Sequence, residues 1–142
     1  MPDLTVMLVV QNILGGVMTI VLVGLLHQPY RQSSMVMLVC FAHGIYMNGA
    51  IWPWEIALIL PGVALAWWGL RWYPAIGLSW MVHTVLDYLH HQAGAPVIAT
   101  QPHSSLGCFI YDPILAVWFF FGAPGLLDRR RARDADQCNA ET

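Results

Sequence analysis

The chain has 142 residues, 58% of them hydrophobic and only 10% charged, with a formal net charge of −2. A soluble domain carries about a quarter charged residues, and here four of the six basic and four of the eight acidic residues sit in 128–142. An ordinary soluble domain is excluded, and so is a nucleic-acid binder, which would need a basic surface.

The composition predicts an all-α, polytopic membrane helix bundle over 1–127, followed by a basic and then disordered cytoplasmic tail over 128–142. Five apolar segments are long enough, at ~1.5 Å per residue, to cross a hydrocarbon core of ~30 Å. They run approximately over 4–26, 34–50, 54–72, 75–91 and 105–123. The first is too long for a signal-peptide core and lacks a basic leader, which predicts a retained span. Pro29, Asn48-Gly49, Trp52-Pro53, Pro74 and Gly94 to Pro102 punctuate the divisions. Cys40, Cys108 and Cys138 form no CxxC pair and no disulfide framework.

Every basic residue falls in the first connection (Arg31), the third (Arg71) or the tail (Arg129 to Arg133). The positive-inside bias then sets the N-terminus outside and the C-terminus in the cytoplasm. The expected location is integral and multi-pass, in the plasma membrane if the cell is bacterial. The same topology gathers Glu55, Asp87 and Asp112 in the outer half, with His43 and the fourth-span histidines beside them. Tyr46, Trp52, Trp54, Tyr88 and Tyr111 are expected in an outer aromatic belt, as interface anchors.

The fourth span holds the densest chemistry. On a helix, His83, Asp87, His90 and His91 fall within an arc of roughly 100°. Ionisable groups in hydrocarbon persist where they pair, bind a metal or act on something. Imidazoles and carboxylates at i, i+3 and i+4 suit zinc or iron, so His83, Asp87, His90, His91 and Asp112 are the expected metal ligands, with His43 or Glu55 as further candidates. In the fifth span Ser105, Cys108 and Asp112 share a face. Ser104 and Ser105 are placed as an N-cap, and Pro113 is expected to break the helix next to Asp112. Glu55 suits the positive end of the third span.

Trp54-Glu55, the run Trp80-x2-His83-x3-Asp87-x2-His90-His91, Ser104-Ser105-x-Gly107-Cys108-x3-Asp112-Pro113 and Trp118-Phe-Phe-x-Gly122-Ala-Pro124 together resemble an uncharacterised family of small bacterial-type integral membrane proteins, known as a domain of unknown function. The resemblance covers residues 54 to 124; it implies the membrane-helical fold and supplies no activity. More loosely, Asp87-x2-His90-His91 is similar to one histidine box of membrane di-iron desaturases and hydroxylases. The Ser/His/Asp set at the mouth of a helical bundle is similar to membrane metal-dependent hydrolases of the ceramidase type.

The leading functional expectation is a metal-dependent membrane hydrolase acting on a lipid or other apolar substrate at the outer leaflet. Glu55, Asp112 and Ser105 are its expected catalytic groups. The alternatives are a metal-free acid–base isomerase or cyclase, a metal, proton or haem carrier in which His43 pairs with His83 or His90, and a structural subunit. The expected partners are the bilayer and an apolar small molecule. A homo-oligomer would place the site at an interface.

Overall fold

A computed structural model describes residues 2–125, with side chains from residue 6 onward. The basic tail expected over 128–142 lies outside the described residues. Within them the chain is all-α, with no strand: α1 (Pro2–Gly24), α2 (Tyr30–Ile45), α3 (Trp54–Trp68), α4 (Tyr73–Gln92) and α5 (Ser104–Phe120). By length and composition one of these, over Val6–Gly24, can cross a membrane; Trp54–Trp68 and Ser104–Phe120 are apolar but shorter.

Local chemistry sets the ends. α2 begins four residues earlier than expected, directly after its N-cap Pro29, and closes before the Asn48-Gly49 turn, where Gly49 takes φ +82°. Pro74 opens α4 in the first turn, where a missing N–H costs nothing. α4 and α5 stop in the same way, on a glycine in the left-handed region. Ala95 N–H donates to His90 O and Gly94 N–H to His91 O; Ala123 N–H donates to Trp118 O and Gly122 N–H to Phe119 O. Both are Schellman closures, which satisfy carbonyls the helix leaves open. Contrary to expectation, α5 runs unbroken through Pro113. A helix tolerates an internal proline when its neighbours hold it, at the cost of one backbone bond.

α4 is the hub, packed against α2, α3 and α5, while α1 leans on α5. Close approach is built in at Gly77, where a Cβ would stand 2.9 Å from Ala116 O and the Phe120 ring. The α1–α5 seam is held by a 2.7 Å hydrogen bond between Thr19 Oγ1 and the Tyr111 hydroxyl. The larger apolar core, around Met35, Val39, Ala66, Ile76, Leu115 and Phe119, fills one half of the bundle. In the other half Tyr46, Ile59 and Leu86 form only a small apolar cluster. Buried polar side chains take up the rest of that half.

Charge follows this division. At the end formed by the C-termini of α1, α3 and α5, Gln32 Nε2 donates to Gly69 O at 2.5 Å. Arg31, 1% exposed, donates from Nε and Nη2 to Leu26 O at 3.0 and 2.8 Å and from Nη1 to Ala123 O at 3.1 Å. A guanidinium there complements the negative ends of two helices. Glu55, Asp87 and Asp112 lie towards the opposite end.

Arg31→Met leaves two carbonyls without their charged donor. Since each hydrogen bond to a charged group contributes about 1.5–3 kcal/mol, the variant should lose about 3 kcal/mol of stability, read as a lower unfolding midpoint in a thermal melt.

Candidate functional site

At the polar end four helices present side chains to one interior volume. α2 supplies His43 and its C-cap residue supplies Tyr46; α3 supplies Glu55, α4 His83, Asp87 and His90, and α5 Asp112. All are buried, with Asp87, His43 and His90 at 0% exposure. Helix spacing explains the selection within α4: His83, Asp87 and His90 fall within an arc of about 60°, whereas His91 lies about 80° away from His83.

The hydrogen bonds fix how two imidazoles are presented. His43 Nδ1 lies 2.8 Å from Val39 O, and His90 Nδ1 lies 3.0 Å from Leu86 O. A carbonyl only accepts, so each Nδ1 carries the proton it donates. In the neutral ring Nε2 then offers a lone pair, and neither Nε2 has a hydrogen-bond partner. A histidine anchored through Nδ1–H to a backbone carbonyl is oriented as metal-ligating histidines are. His43 reaches into the cluster because α3 carries Gly62 beside its ring, where a Cβ would overlap the imidazole.

His83 stands between two carboxyl groups. Its Nε2 is 3.8 Å from Asp87 Oδ1 and 3.9 Å from Asp112 Oδ2. One donor atom from each of these residues lies within 4.8 Å of the other two, an arrangement that could hold a metal ion. Two donors at ~2.1 Å from a tetrahedral ion are ~3.4 Å apart, so the two His–Asp gaps are about half an ångström wider than a loaded site requires, and the three atoms, within 4.8 Å of one another, would have to draw in around an ion. The Tyr46 hydroxyl donates to Asp87 Oδ1 and fixes that carboxyl. Its ring lies 4.1 Å from the His90 ring and 5.2 Å from the His83 ring, centroid to centroid. Among the described residues, His83 Nδ1 has no hydrogen-bond partner, and Asp87 Oδ2 and Asp112 Oδ2 have none beyond the contact between the two carboxyl groups themselves. Buried polar atoms left so cost ~1–3 kcal/mol each, and an ion or a ligand would satisfy them.

Glu55 is held by backbone N–H groups. Its Oε2 accepts from Gly49 N–H at 2.9 Å and its Oε1 from Ile51 N–H at 3.1 Å, so it clamps the α2–α3 connection. Oε1 is also 3.4 Å from His90 Nε2. Ser104 and Ser105 do not cap α5, whose N-cap is His103 without a side-chain bond. Ser104 Oγ accepts from Ile98 N–H at 2.9 Å. Ser105 Oγ accepts from Val97 N–H at 3.2 Å and donates to Ala95 O at 3.3 Å. Both serines stitch the α4–α5 connection to the helix it leads into.

Of the expected ligands, the structure brings His83, Asp87 and Asp112 together, with His90 alongside. His91 is half-buried and turned towards His103, 6.5 Å between ring centroids. Tyr46, expected in the aromatic belt, is 1% exposed and belongs to the cluster. The signal that could have found it is its place three residues after His43, on the same helical face. A cavity of about 200 Å³ reaches His83 and Asp112 from between α2 and α5, past Leu38, Phe41 and Ile45.

The chain belongs to a family of unknown function, DUF6010, whose model matches residues 7–125. No curated protein and no solved structure matches it, so the histidine-box and ceramidase-type similarities gain no support.

Gly62→Ala sets a methyl group against the His43 ring. Overpacking of this kind costs about 1–3 kcal/mol, seen as a lower unfolding midpoint. Combining it with His43→Ala should recover most of that loss, because the clash is shared; independent, additive losses would show that the contact is not the cause.

Proposed function

We propose that this member of a family of unknown function is a multi-pass membrane protein whose α2–α5 bundle holds a divalent metal, zinc or iron, and hydrolyses an apolar ester or amide there. The membrane reading is supported by the inversion of the usual surface. Among residues 6–125, Arg31, Glu55, Asp87 and Asp112 are buried, and Arg71 alone of the Arg, Asp and Glu residues is exposed. Met7, Leu14, Met37, Phe41, Leu60, Trp67 and Phe121 are each more than 60% exposed. A soluble protein of this size does not cover itself with such side chains while burying its carboxylates. α1 is long and apolar enough to cross lipid by itself, and in this reading the shorter apolar α3 and α5 cross it with the help of their flanking turns.

The observation that carries the metal reading is the convergence of His83, Asp87 and Asp112, three buried groups with unpartnered atoms and no Arg or Lys among them. Two carboxylates and a neutral imidazole balance a divalent cation, which an apolar surround rewards. When bound, such a metal supplies Lewis acidity and an activated water. The protein's own part is geometric. Tyr46 orients Asp87, His43 offers a free Nε2 beside His83 as a proton acceptor (ring centroids 4.8 Å apart), and Asp112 faces the cavity between α2 and α5. His90 Nε2 faces Glu55 Oε1 at 3.4 Å on the other side of the Tyr46 ring. The His43 and His83 rings stand too close for a haem between them.

A second reading, acid–base chemistry without metal, is favoured by the Tyr46–Asp87 hydrogen bond and the Glu55–His90 contact, which could relay a proton by themselves.

Cobalt titration of the purified protein separates the two. The wild type should take up one equivalent with a visible d–d band. Asp87→Asn, Asp112→Asn and His83→Ala should abolish it, Tyr46→Phe should weaken binding about 10–100-fold as an outer-shell change does, and His91→Ala should leave it unchanged. A wild type that binds no metal overturns the hydrolase reading in favour of the metal-free one. Retention in the membrane pellet after carbonate washing, with the Asn48-Gly49 turn and the tail labelled from opposite sides, tests the five-span topology.

A further inference from the structure

A second, larger cavity has no place in the site described so far. It measures about 520 Å³ and lies between α1, α5 and the connection that precedes α5. Its volume falls in the range of small-molecule sites, ~300–1,000 Å³. Among the described residues its polar lining consists of the carboxamides of Gln11, Asn12 and Gln101, the Thr100 and Ser104 hydroxyls, the Cys108 thiol and the His103 imidazole, set among apolar side chains, and includes no Arg, Asp or Glu. Gly107 makes the room: a Cβ there would meet the Asn12 amide at 3.0 Å. Ser104 Oγ already accepts from Ile98 N–H, so its own O–H is left to donate into the cleft.

Val97 and Cys108 line both this cleft and the smaller cavity that reaches His83 and Asp112. The two are therefore neighbours across one residue of α5 and one of the connection. Their linings differ in kind. The cleft offers hydrogen bonds without charge, whereas the smaller cavity is walled by Leu38, Phe41 and Ile45 and ends on the His/Asp cluster.

We propose that the cleft is the subsite for the uncharged polar head of an amphiphile. The chain of that molecule leaves between α2 and α5, and its head-to-chain linkage crosses Val97 and Cys108 to lie beside His83 and Asp112. This deepens the hydrolase reading and rests on it for the reaction. Water adds its oxygen to the acyl carbon, the bond from that carbon to the head's oxygen or nitrogen breaks, the head leaves with a proton and the chain leaves as the acid. The lining selects the head. Among the described residues a phosphate would find no arginine and an ammonium no carboxylate, while hydroxyl or amide groups can be matched by Gln11, Asn12, Gln101 and Ser104. The substrate class is a neutral long-chain ester or amide.

Photo-crosslinking of the full chain in bilayer nanodiscs tests this without relying on turnover. The probe is a monoacylglycerol with a diazirine on the first carbons of its acyl chain. Adducts are expected on the peptide spanning Val97 to Cys108. Unlabelled monoacylglycerol should compete, and lysophosphatidic acid or an alkylamine of equal chain length should need about tenfold more. Ile98→Trp, which fills the cleft from an exposed position, should lower the yield about tenfold while leaving cobalt binding intact. Asp87→Asn should lose the metal and keep the adducts. Adducts in a protein that binds no metal would sink the hydrolase and spare the subsite. Adducts elsewhere, a yield unmoved by Ile98→Trp, or equal competition by the phosphate-bearing lipid would overturn the subsite, whatever the metal does.

Discussion

Buried carboxyl groups without a basic side chain beside them are the constraint that organises this molecule. Glu55, Asp87 and Asp112 are almost fully withdrawn from solvent, and a charge in such surroundings has to be met by hydrogen bonds, a proton or a cation. Each is met differently. Glu55 takes two backbone N–H groups from the connection it clamps. Asp87 takes the Tyr46 hydroxyl. Asp112 meets only the Asp87 carboxyl and, at 3.9 Å, His83. The arginine that could have neutralised one of them is spent at the far end, on the carbonyls that close α1 and follow α5. The bundle thus separates a cationic, backbone-binding end from an acidic end whose balance is left to histidines and whatever they bind.

Packing serves that separation. Small residues stand where large neighbours must approach: Gly62 beside the His43 ring, Gly77 against α5, Gly107 against Asn12. Because α4 touches three of the other helices, its buried face is read from several sides. One turn meets α3 through Ser79, whose hydroxyl donates to Gly62 O at 2.8 Å. Later turns carry His83, Asp87 and His90.

Much of this was legible in the sequence, and the failures are instructive. The five helices could be read because proline and glycine punctuate them and apolar runs fill them. The gathering of His83, Asp87 and Asp112 followed from charge sorting and helical spacing. What could not be read was direction at single-residue grain. His90 and His91 are adjacent in sequence, yet one step of the helix turns His90 inward and His91 towards His103. Tyr46 has the composition of an interface anchor, and only the fold shows its hydroxyl turned to Asp87. Ser104 and Ser105 have the pattern of a cap, but the connection folds back and takes their oxygens first. Local propensity names the groups able to hydrogen-bond; tertiary structure chooses their partners.

The seam between α1 and α5 has a consequence for how the chain must be made. Thr19 of α1 meets Tyr111 of α5 across 92 residues of sequence. α1 therefore finds its main packing partner only once α5 has been made. Contacts of such long sequence separation form late, after their loop-closure entropy has been met by other contacts. The polar cluster is drawn from α2 to α5 and takes no residue from α1. Cluster and seam thus share α5, the element that both require.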